Sequence, residues 1–189
     1  LQQTGVPSAS IAVVRDGRIV YAQAYGSAEL EPKVLRARPA MRYAIGSISK
    51  QFTASALLLL QQDGKRSLDD KVAKYFPHLT QANEITIRQL LTHTSGYQDY
   101  WPQDYTFADM RQPTQPAAIL DRWARQPLDY EPGMRWQYSN TGYVLAGLIV
   151  EKVSGEPLYH FLERRIFEPL GIKSVRDFDT EPLAHGTVP

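Results

Sequence analysis

Residues 46–54 read GSISKQFTA, and this stretch sets Ser47 and Lys50 three positions apart at the start of a helical pattern that runs to Gln62. On a helix the two side chains would share one face, about 5 to 6 Å apart at Cβ. A serine hydroxyl becomes a good nucleophile when a nearby base takes its proton, and a lysine can be that base where burial or a second cation lowers its pKa. The stretch therefore predicts either a nucleophile with its base or a helix cap followed by a solvated lysine.

The chain on either side of this stretch differs in its secondary structure. Residues 10–26 form two β-rich runs around Asp16-Gly17, a dipeptide that favours a type I′ turn, so a hairpin is predicted. The segment 47–62 is apolar nearly all round, which is typical of a helix buried within a core. A lone hairpin is not a stable sheet. Either the helices cover it or its partner strands lie beyond Pro189.

End signals predict further helices and few further strands. The pairs Ser67 with Asp70 and Thr86 with Gln89 have the pattern of capping boxes and open two helical segments. Apolar helical patterns follow at 114–127, 141–155 and 157–171, and the tail 172–189 shows no clear element. The pattern predicts an α/β protein in which helices dominate.

The composition excludes several classes of function. The chain has 189 residues, 43% of them apolar and 22% charged, with a net charge of +1, which argues against a broad surface for nucleic acid or an anionic membrane. It has no cysteine, so disulfides, thiolate metal sites and a cysteine nucleophile are excluded. The four histidines are scattered, and no metal site or cofactor is predicted. No apolar run predicts a transmembrane segment, and the first residues lack the features of a signal peptide.

A second polar group stands before the apolar segment at 141–155. Tyr138, Ser139 and Asn140 lie in an irregular stretch, where a tyrosine could shuttle protons and an asparagine could orient an amide. Asn140 as a helix cap is a sound alternative.

Four motifs in order resemble those of the serine β-lactamase and penicillin-binding-protein superfamily: GSISKQFTA, LLTHTSG, EPGMRWQYSN and GYVLAGLIVEKVSG. The Tyr-x-Asn form is similar to the branch of class C β-lactamases, DD-peptidases and related esterases. The resemblance implies one incomplete domain over residues 1–189 with an α/β, β-lactamase/transpeptidase-like fold. In that fold a mostly helical region, about 47–171, stands beside a hairpin whose other antiparallel strands are missing.

The same resemblance implies a role for each matching residue. Ser47 would be the nucleophile that forms an acyl-enzyme, and its backbone N–H would be one oxyanion donor. Lys50 and Tyr138 would share the work of general base and general acid. Asn140 would bind the amide of the substrate. No cofactor or metal is implied.

Some residues in and after the third helical segment have two interpretations. His93 could be a base and Ser95 a nucleophile, although a structural role for HTSG is favoured. In the aromatic loop 97–113, Tyr97 and Trp101 are the candidate substrate contacts, and Tyr100 and Tyr105 could also wall a cleft. The same aromatic side chains could instead pack on their own domain. Trp136 is expected in the core.

The sequence departs from the family pattern at its end. A downstream Lys-Thr-Gly or His-x-Gly strand, which would supply the second oxyanion donor, has no assignable match, since the HGT at 185–187 lies too close to Tyr138 and outside any strand pattern. We therefore expect the sequence to be a fragment with little turnover. The missing strand would also leave an open sheet edge, which favours self-association.

The resulting functional prediction is a serine acyl-transfer hydrolase. Its substrate would be a small molecule or peptidoglycan-like: a β-lactam, a D-alanyl peptide or an ester. The alternatives are a non-catalytic binding or sensor module and an inactive structural fragment. The resemblance also implies a periplasmic or secreted protein.

Overall fold

A computed structural model describes residues 3, 5–31, 34–101, 112–177 and 187–188. The chain forms two compact units, one of Leu1–Gly46 with Ile172–Pro189 and the other of Ser47–Gly171. The second unit coincides with the helical region predicted at about 47–171. That the chain is one domain stays a prediction.

The first unit is built around an antiparallel hairpin. Its strands, β1 (Ser8–Arg15) and β2 (Arg18–Glu29), pair along their length. The turn residues Asp16 and Gly17 have φ values of 50° and 72°, and a type I′ turn requires a positive φ at both positions. The hairpin predicted at residues 10–26 is confirmed, and it extends further at both ends.

Short strands outside the predicted hairpin also belong to this unit. β3 (Leu35–Arg36) pairs antiparallel with β2, and β4 (Arg42–Tyr43) pairs parallel with β5 (Thr187–Val188). The prediction of an irregular tail over 172–189 is therefore wrong at Thr187–Val188. The pairing that makes these residues a strand comes from a distant part of the chain, so no local pattern reveals it.

In the second unit, α1 (Lys50–Gln62) follows a 3-10 turn at Gly46–Ser49. The helix predicted at 47–62 is confirmed, with a tighter first turn. Leu58, however, is 49% exposed, so the prediction of burial nearly all round is wrong. A continuous run of leucines circles the helix, and the tertiary structure decides which of them are covered. The buried residues of α1 are Thr53, Ala56, Leu57 and Leu60.

The two capping-box predictions have different outcomes. α2 (Ile87–Leu91) begins at Thr86, whose side chain accepts from Gln89 N while the Gln89 side chain accepts from Thr86 N. This box is confirmed. Ser67 N also donates to Asp70 Oδ2 at 3.0 Å, but only a 3-10 turn of 3 residues follows.

The longest helix, α4 (Asn140–Ser154), packs against α1 and α2. It begins at Ser139, whose Oγ accepts from Gly142 N at 3.1 Å, and ends at Gly155, where φ is 78°. Glycine adopts that left-handed conformation without steric strain. The cap at Ser139 therefore fixes the path of the chain into α4.

Two short helices complete the second unit, and each continues as a π-helical turn: α3 (Pro116–Ile119) and α5 (Leu158–Leu162). Both pack against α4. Among the described residues, no helix has the length and apolar character that a membrane span requires.

Candidate active site

Ser47 and Lys50 meet at the start of α1. Ser47 lies in the exposed 3-10 turn, and Lys50 is the first residue of the α-helix. Lys50 Nζ donates to Ser47 Oγ at 3.1 Å. The three-residue spacing that the sequence presents therefore becomes a direct contact between an amine and a hydroxyl.

Tyr138 reaches the same hydroxyl from the start of α4. Its phenol oxygen lies 2.6 Å from Ser47 Oγ, although 91 residues separate the two in sequence. The Lys50 ammonium lies 4.9 Å from the centre of the Tyr138 ring and 5.5 Å from that of Tyr143. Aromatic faces attract a cation at such distances, so the two rings help to hold the ammonium beside Ser47.

Asn140 completes this group of side chains. Its Oδ1 accepts from Lys50 Nζ at 2.7 Å. The ammonium of Lys50 therefore donates to two fixed acceptors, Ser47 Oγ and Asn140 Oδ1, which orients the amine. That Asn140 also binds a substrate amide stays a prediction.

Sequence reasoning missed Asp99. Its Oδ1 accepts from the backbone N of Asn140 at 2.8 Å, and its Oδ2 accepts from Asn140 Nδ2 at 3.0 Å. Asp99 lies 41 residues before Asn140 in a loop without periodicity. The sequence offers no signal for this contact beyond an acidic residue in the aromatic loop.

His93 lies behind Tyr138. Its ring stacks on the Tyr138 ring with centres 4.6 Å apart, and its Nδ1 accepts from Ser139 N at 3.1 Å. Burial, and to a lesser extent the Lys50 cation, lower the pKa of His93, while Asp99 opposes the shift. Within the described residues no hydrogen bond joins His93 to Ser47. This arrangement favours the structural interpretation of His93 over its role as a base.

Ser95 and Tyr97 are core residues. Ser95 is 1% exposed and its Oγ accepts from Tyr97 N at 3.4 Å. Tyr97 is 2% exposed and its hydroxyl donates to Thr80 O at 3.0 Å. The prediction that Tyr97 contacts substrate is therefore wrong, because its ring fills the interior of the unit and its hydroxyl is already bonded there.

The other aromatic predictions have mixed outcomes. Trp101 is 43% exposed and packs edge-on against Tyr100, so its role as a substrate contact stays a prediction. Trp136 was expected in the core, and this is wrong: it is 64% exposed, with its ring 5.9 Å from that of His93. Tyr105 lies outside the described residues.

The geometry gives Ser47 two partners for a proton. Tyr138 can donate to Ser47 Oγ or accept from it, and Lys50 donates to the same oxygen. An oxygen in hydrogen-bond contact with two proton-carrying groups is the arrangement that nucleophilic catalysis by serine needs. The site therefore gathers a Ser-x-x-Lys pair and a Tyr-x-Asn pair around one serine hydroxyl.

Comparison with known proteins identifies the family. The beta-lactamase family profile matches residues 1–185, and the chain belongs to that family. Penicillin-binding protein 4* of Bacillus subtilis is 34% identical over 175 residues, which cover 90% of this chain and 38% of the Bacillus protein.

Solved structures agree with this assignment. D-amino acid amidase from Ochrobactrum anthropi, complexed with L-phenylalanine amide, is similar at a TM-score of 0.78 and 34% identity, over 91% of this chain and 48% of the amidase. The octameric penicillin-binding protein homologue from Pyrococcus abyssi has a TM-score of 0.82 at 30% identity, over 99% and 44%. The fold is therefore β-lactamase/transpeptidase-like, and the chain spans less than half the length of each of these relatives.

Proposed function

We propose that the protein is a serine acyl-transfer hydrolase in which Ser47 is the nucleophile. The observation that carries this proposal is the contact of Ser47 Oγ with both Tyr138 OH, at 2.6 Å, and Lys50 Nζ, at 3.1 Å. Membership of the beta-lactamase family supports the same assignment.

The proposed reaction has two halves. The Tyr138–Lys50 pair acts as base once either the phenol or the ammonium has given up one proton. Ser47 Oγ then attacks the carbonyl carbon of the substrate while its proton passes to this pair. The pair then delivers a proton to the leaving nitrogen or oxygen as the acyl-enzyme forms. Water next attacks the acyl carbon and gives up a proton to the same pair. The bond between the acyl carbon and Ser47 Oγ then breaks, the pair returns the proton to Ser47 Oγ, and the acid is released. The backbone N–H of Ser47 would donate to the developing oxyanion, where such a donor is typically worth about 10² to 10³-fold in rate.

The substrate would be a β-lactam, a D-alanyl peptide or an ester. Similarity to a D-amino acid amidase supports an acyl group with a D-configured centre, and similarity to a penicillin-binding protein supports a β-lactam. Similarity to penicillin-binding proteins and D-alanyl-D-alanine carboxypeptidases supports a periplasmic or secreted location, which is part of the proposal.

Covalent labelling tests the nucleophile. A penicillin or a fluorophosphonate should add one adduct to the full-length protein in intact-mass spectrometry, and Ser47→Ala should abolish it. Ser55→Ala is the matched control, because the Ser55 hydroxyl bonds Gln51 O on α1 and should leave labelling intact. An adduct that survives in Ser47→Ala would contradict the assignment, and a stable adduct without turnover would indicate a binding or sensor module.

The base is tested at Lys50. Arginine keeps the charge and can donate hydrogen bonds, but it does not give up its proton, since its pKa exceeds about 12. Lys50→Arg and Lys50→Ala should therefore both slow labelling by about 10² to 10⁴-fold. Lys71→Arg, whose Nζ donates to Glu84 O on the surface, is the control. Parent-like labelling of Lys50→Arg would make Lys50 a structural cation.

A further inference from the structure

We propose that Asp99 is a positioning residue that sets the orientation of the Asn140 amide and, through it, the Lys50 amine. This inference rests on the proposed function, since the amine it positions is the one that serves Ser47. Asp99 itself contacts neither Ser47 nor Tyr138 by any hydrogen bond among the described residues.

The contact is bidentate and lies at the start of α4. Asp99 Oδ1 accepts the backbone N–H of Asn140 at 2.8 Å, and Asp99 Oδ2 accepts one N–H of the Asn140 side-chain amide at 3.0 Å. The next residue of the loop, Tyr100, donates its backbone N–H to Thr141 Oγ1 at 3.0 Å. Two successive loop residues therefore bind two successive residues of α4, and the loop is fixed in register with the helix.

The chemistry of the two side chains permits only one orientation of the Asn140 amide. An ionised carboxylate only accepts hydrogen bonds, whereas an asparagine amide has one donating and one accepting end. Because Asp99 takes the Nδ2 end of Asn140, the Oδ1 end must face Lys50, which donates to it at 2.7 Å. If the amide turned over, Nδ2 would point at the ammonium and Oδ1 at the carboxylate, and both contacts would be lost.

The substitution Asp99→Asn would remove this preference for one orientation of the Asn140 amide while leaving the shape of the side chain at position 99 almost unchanged. Its own amide presents one accepting and one donating atom, so it can receive the Asn140 backbone N–H but then sets an NH₂ group against Asn140 Nδ2. The mismatch is relieved when the Asn140 amide turns over, which aims Nδ2 at Lys50 and displaces the amine from Ser47. Displacements of about 1 Å at a reacting centre can cost about 10²-fold in rate.

A double-mutant cycle on the labelling rate of Ser47 tests the inference in the full-length protein. Asp99→Asn should lower the rate of labelling by a penicillin by about 10²-fold. Because Asp99→Asn keeps an acceptor for the Asn140 backbone N–H and changes only the contact with the Asn140 side chain, it should have almost no effect in the Asn140→Ala background. Asp69→Asn is the matched control. The Asp69 carboxylate binds Arg88 on the surface, and the loss of its charge should leave the labelling rate unchanged.

The outcomes separate this inference from the proposed function. If the parent protein is not labelled at Ser47, the proposed function fails. If the parent is labelled and Asp99→Asn reacts like Asp69→Asn, the inference is overturned. It is also overturned if Asp99→Asn slows labelling equally with and without the Asn140 side chain, since that result indicates a general structural role. Thermal melting checks folding. If Asp99→Asn does not fold, Asp99→Ala repeats the cycle; it also loses the backbone contact, but that loss is common to both backgrounds, so the inference still requires a larger drop in rate when the Asn140 side chain is present.

Discussion

At the scale of single residues, His93 links the site to pH. Its Nδ1 accepts the Ser139 N–H, so protonation at Nδ1 would break a bond at the start of α4. Burial and the Lys50 cation lower its pKa in the folded protein below the value of about 6.5 of an unfolded histidine. The unfolded chain therefore binds more protons than the folded one at mildly acidic pH. The contribution of His93 to the free energy of unfolding is therefore fully present above about pH 6.5 and is lost as the pH falls towards the pKa of His93 in the folded protein.

We expect this loss to disappear in His93→Asn. Asparagine tolerates the positive φ of 59° at this position, and its Oδ1 can accept in place of Nδ1 without titrating. Urea unfolding between about pH 5 and 7.5, the range in which histidine titrates, should show the parent losing more stability than the variant as pH falls. His78→Asn, on an exposed residue, is the control and should follow the parent. Parallel curves for parent and His93→Asn would contradict the assignment.

The buried side chain of Arg66 lowers the free energy of unfolding. It is 6% exposed, and its three guanidinium nitrogens have no hydrogen-bond partner in the described part of the chain. Burial lowers its pKa, while Tyr75 and Asp70 act in the opposite direction. A buried charge without a partner is destabilising.

We therefore expect Arg66→Met to raise the free energy of unfolding. Methionine keeps most of the length of the side chain without its charge, and replacing buried charges by apolar groups of similar volume often adds about 1 to 4 kcal/mol. Arg88→Met is the control, because the Arg88 side chain is 52% exposed and paired with Asp69 at 2.9 Å, where surface pairs are worth about 0 to 1 kcal/mol. Denaturant-induced unfolding of the parent and of both variants measures these changes in the free energy of unfolding. A lower midpoint for Arg66→Met would show that the guanidinium is stabilising.

At the scale of elements, the start of α4 carries both Tyr138 and Asn140 on either side of its cap. Ser139 is 4% exposed and bonds Gly142 N. Ser139→Ala should lower the free energy of unfolding by about 0.5 to 2 kcal/mol and should slow the labelling of Ser47, because both flanking residues lose their anchor. Ser55→Ala makes the same chemical change within α1, where alanine is the better helix former. It should lower neither the free energy of unfolding nor the rate at which Ser47 is labelled. Normal labelling of a destabilised Ser139→Ala would mean that His93 and Asp99 suffice to hold the segment.

The accuracy of prediction from sequence followed the range of the interactions. Elements set by adjacent residues were found, such as the Asp16-Gly17 turn and the cap at Thr86. The aromatic residues were assigned wrongly in both directions, since Tyr97 is buried and Trp136 exposed. Burial of an aromatic side chain in a loop depends on tertiary packing, which has no local signature. The Asp99 contact was missed for the same reason.

At the scale of the whole molecule, the hairpin carries apolar side chains that remain accessible. On one face, Ile11 and Val13 are each 47% exposed, and Tyr21, opposite Val13 in the register, is 40% exposed. β1 is an edge strand of the β1-β2-β3 sheet, as far as the structure describes the chain. An edge with unpaired backbone groups and exposed apolar side chains is a template for pairing with another strand.

We expect the 189-residue chain to self-associate through β1. A charge on an edge strand opposes such pairing, so Val13→Lys should shift the chain towards the monomer in size-exclusion chromatography with light scattering across a dilution series. Leu58→Lys is the matched control: Leu58 is similarly exposed, at 49%, but lies on α1, whose backbone groups are already bonded within the helix. The comparison separates strand pairing from general stickiness. Equal effects of the two substitutions would indicate non-specific hydrophobic association, and a parent chain that stays monomeric at every concentration would contradict the prediction, because the β1 edge would then be protected in solution.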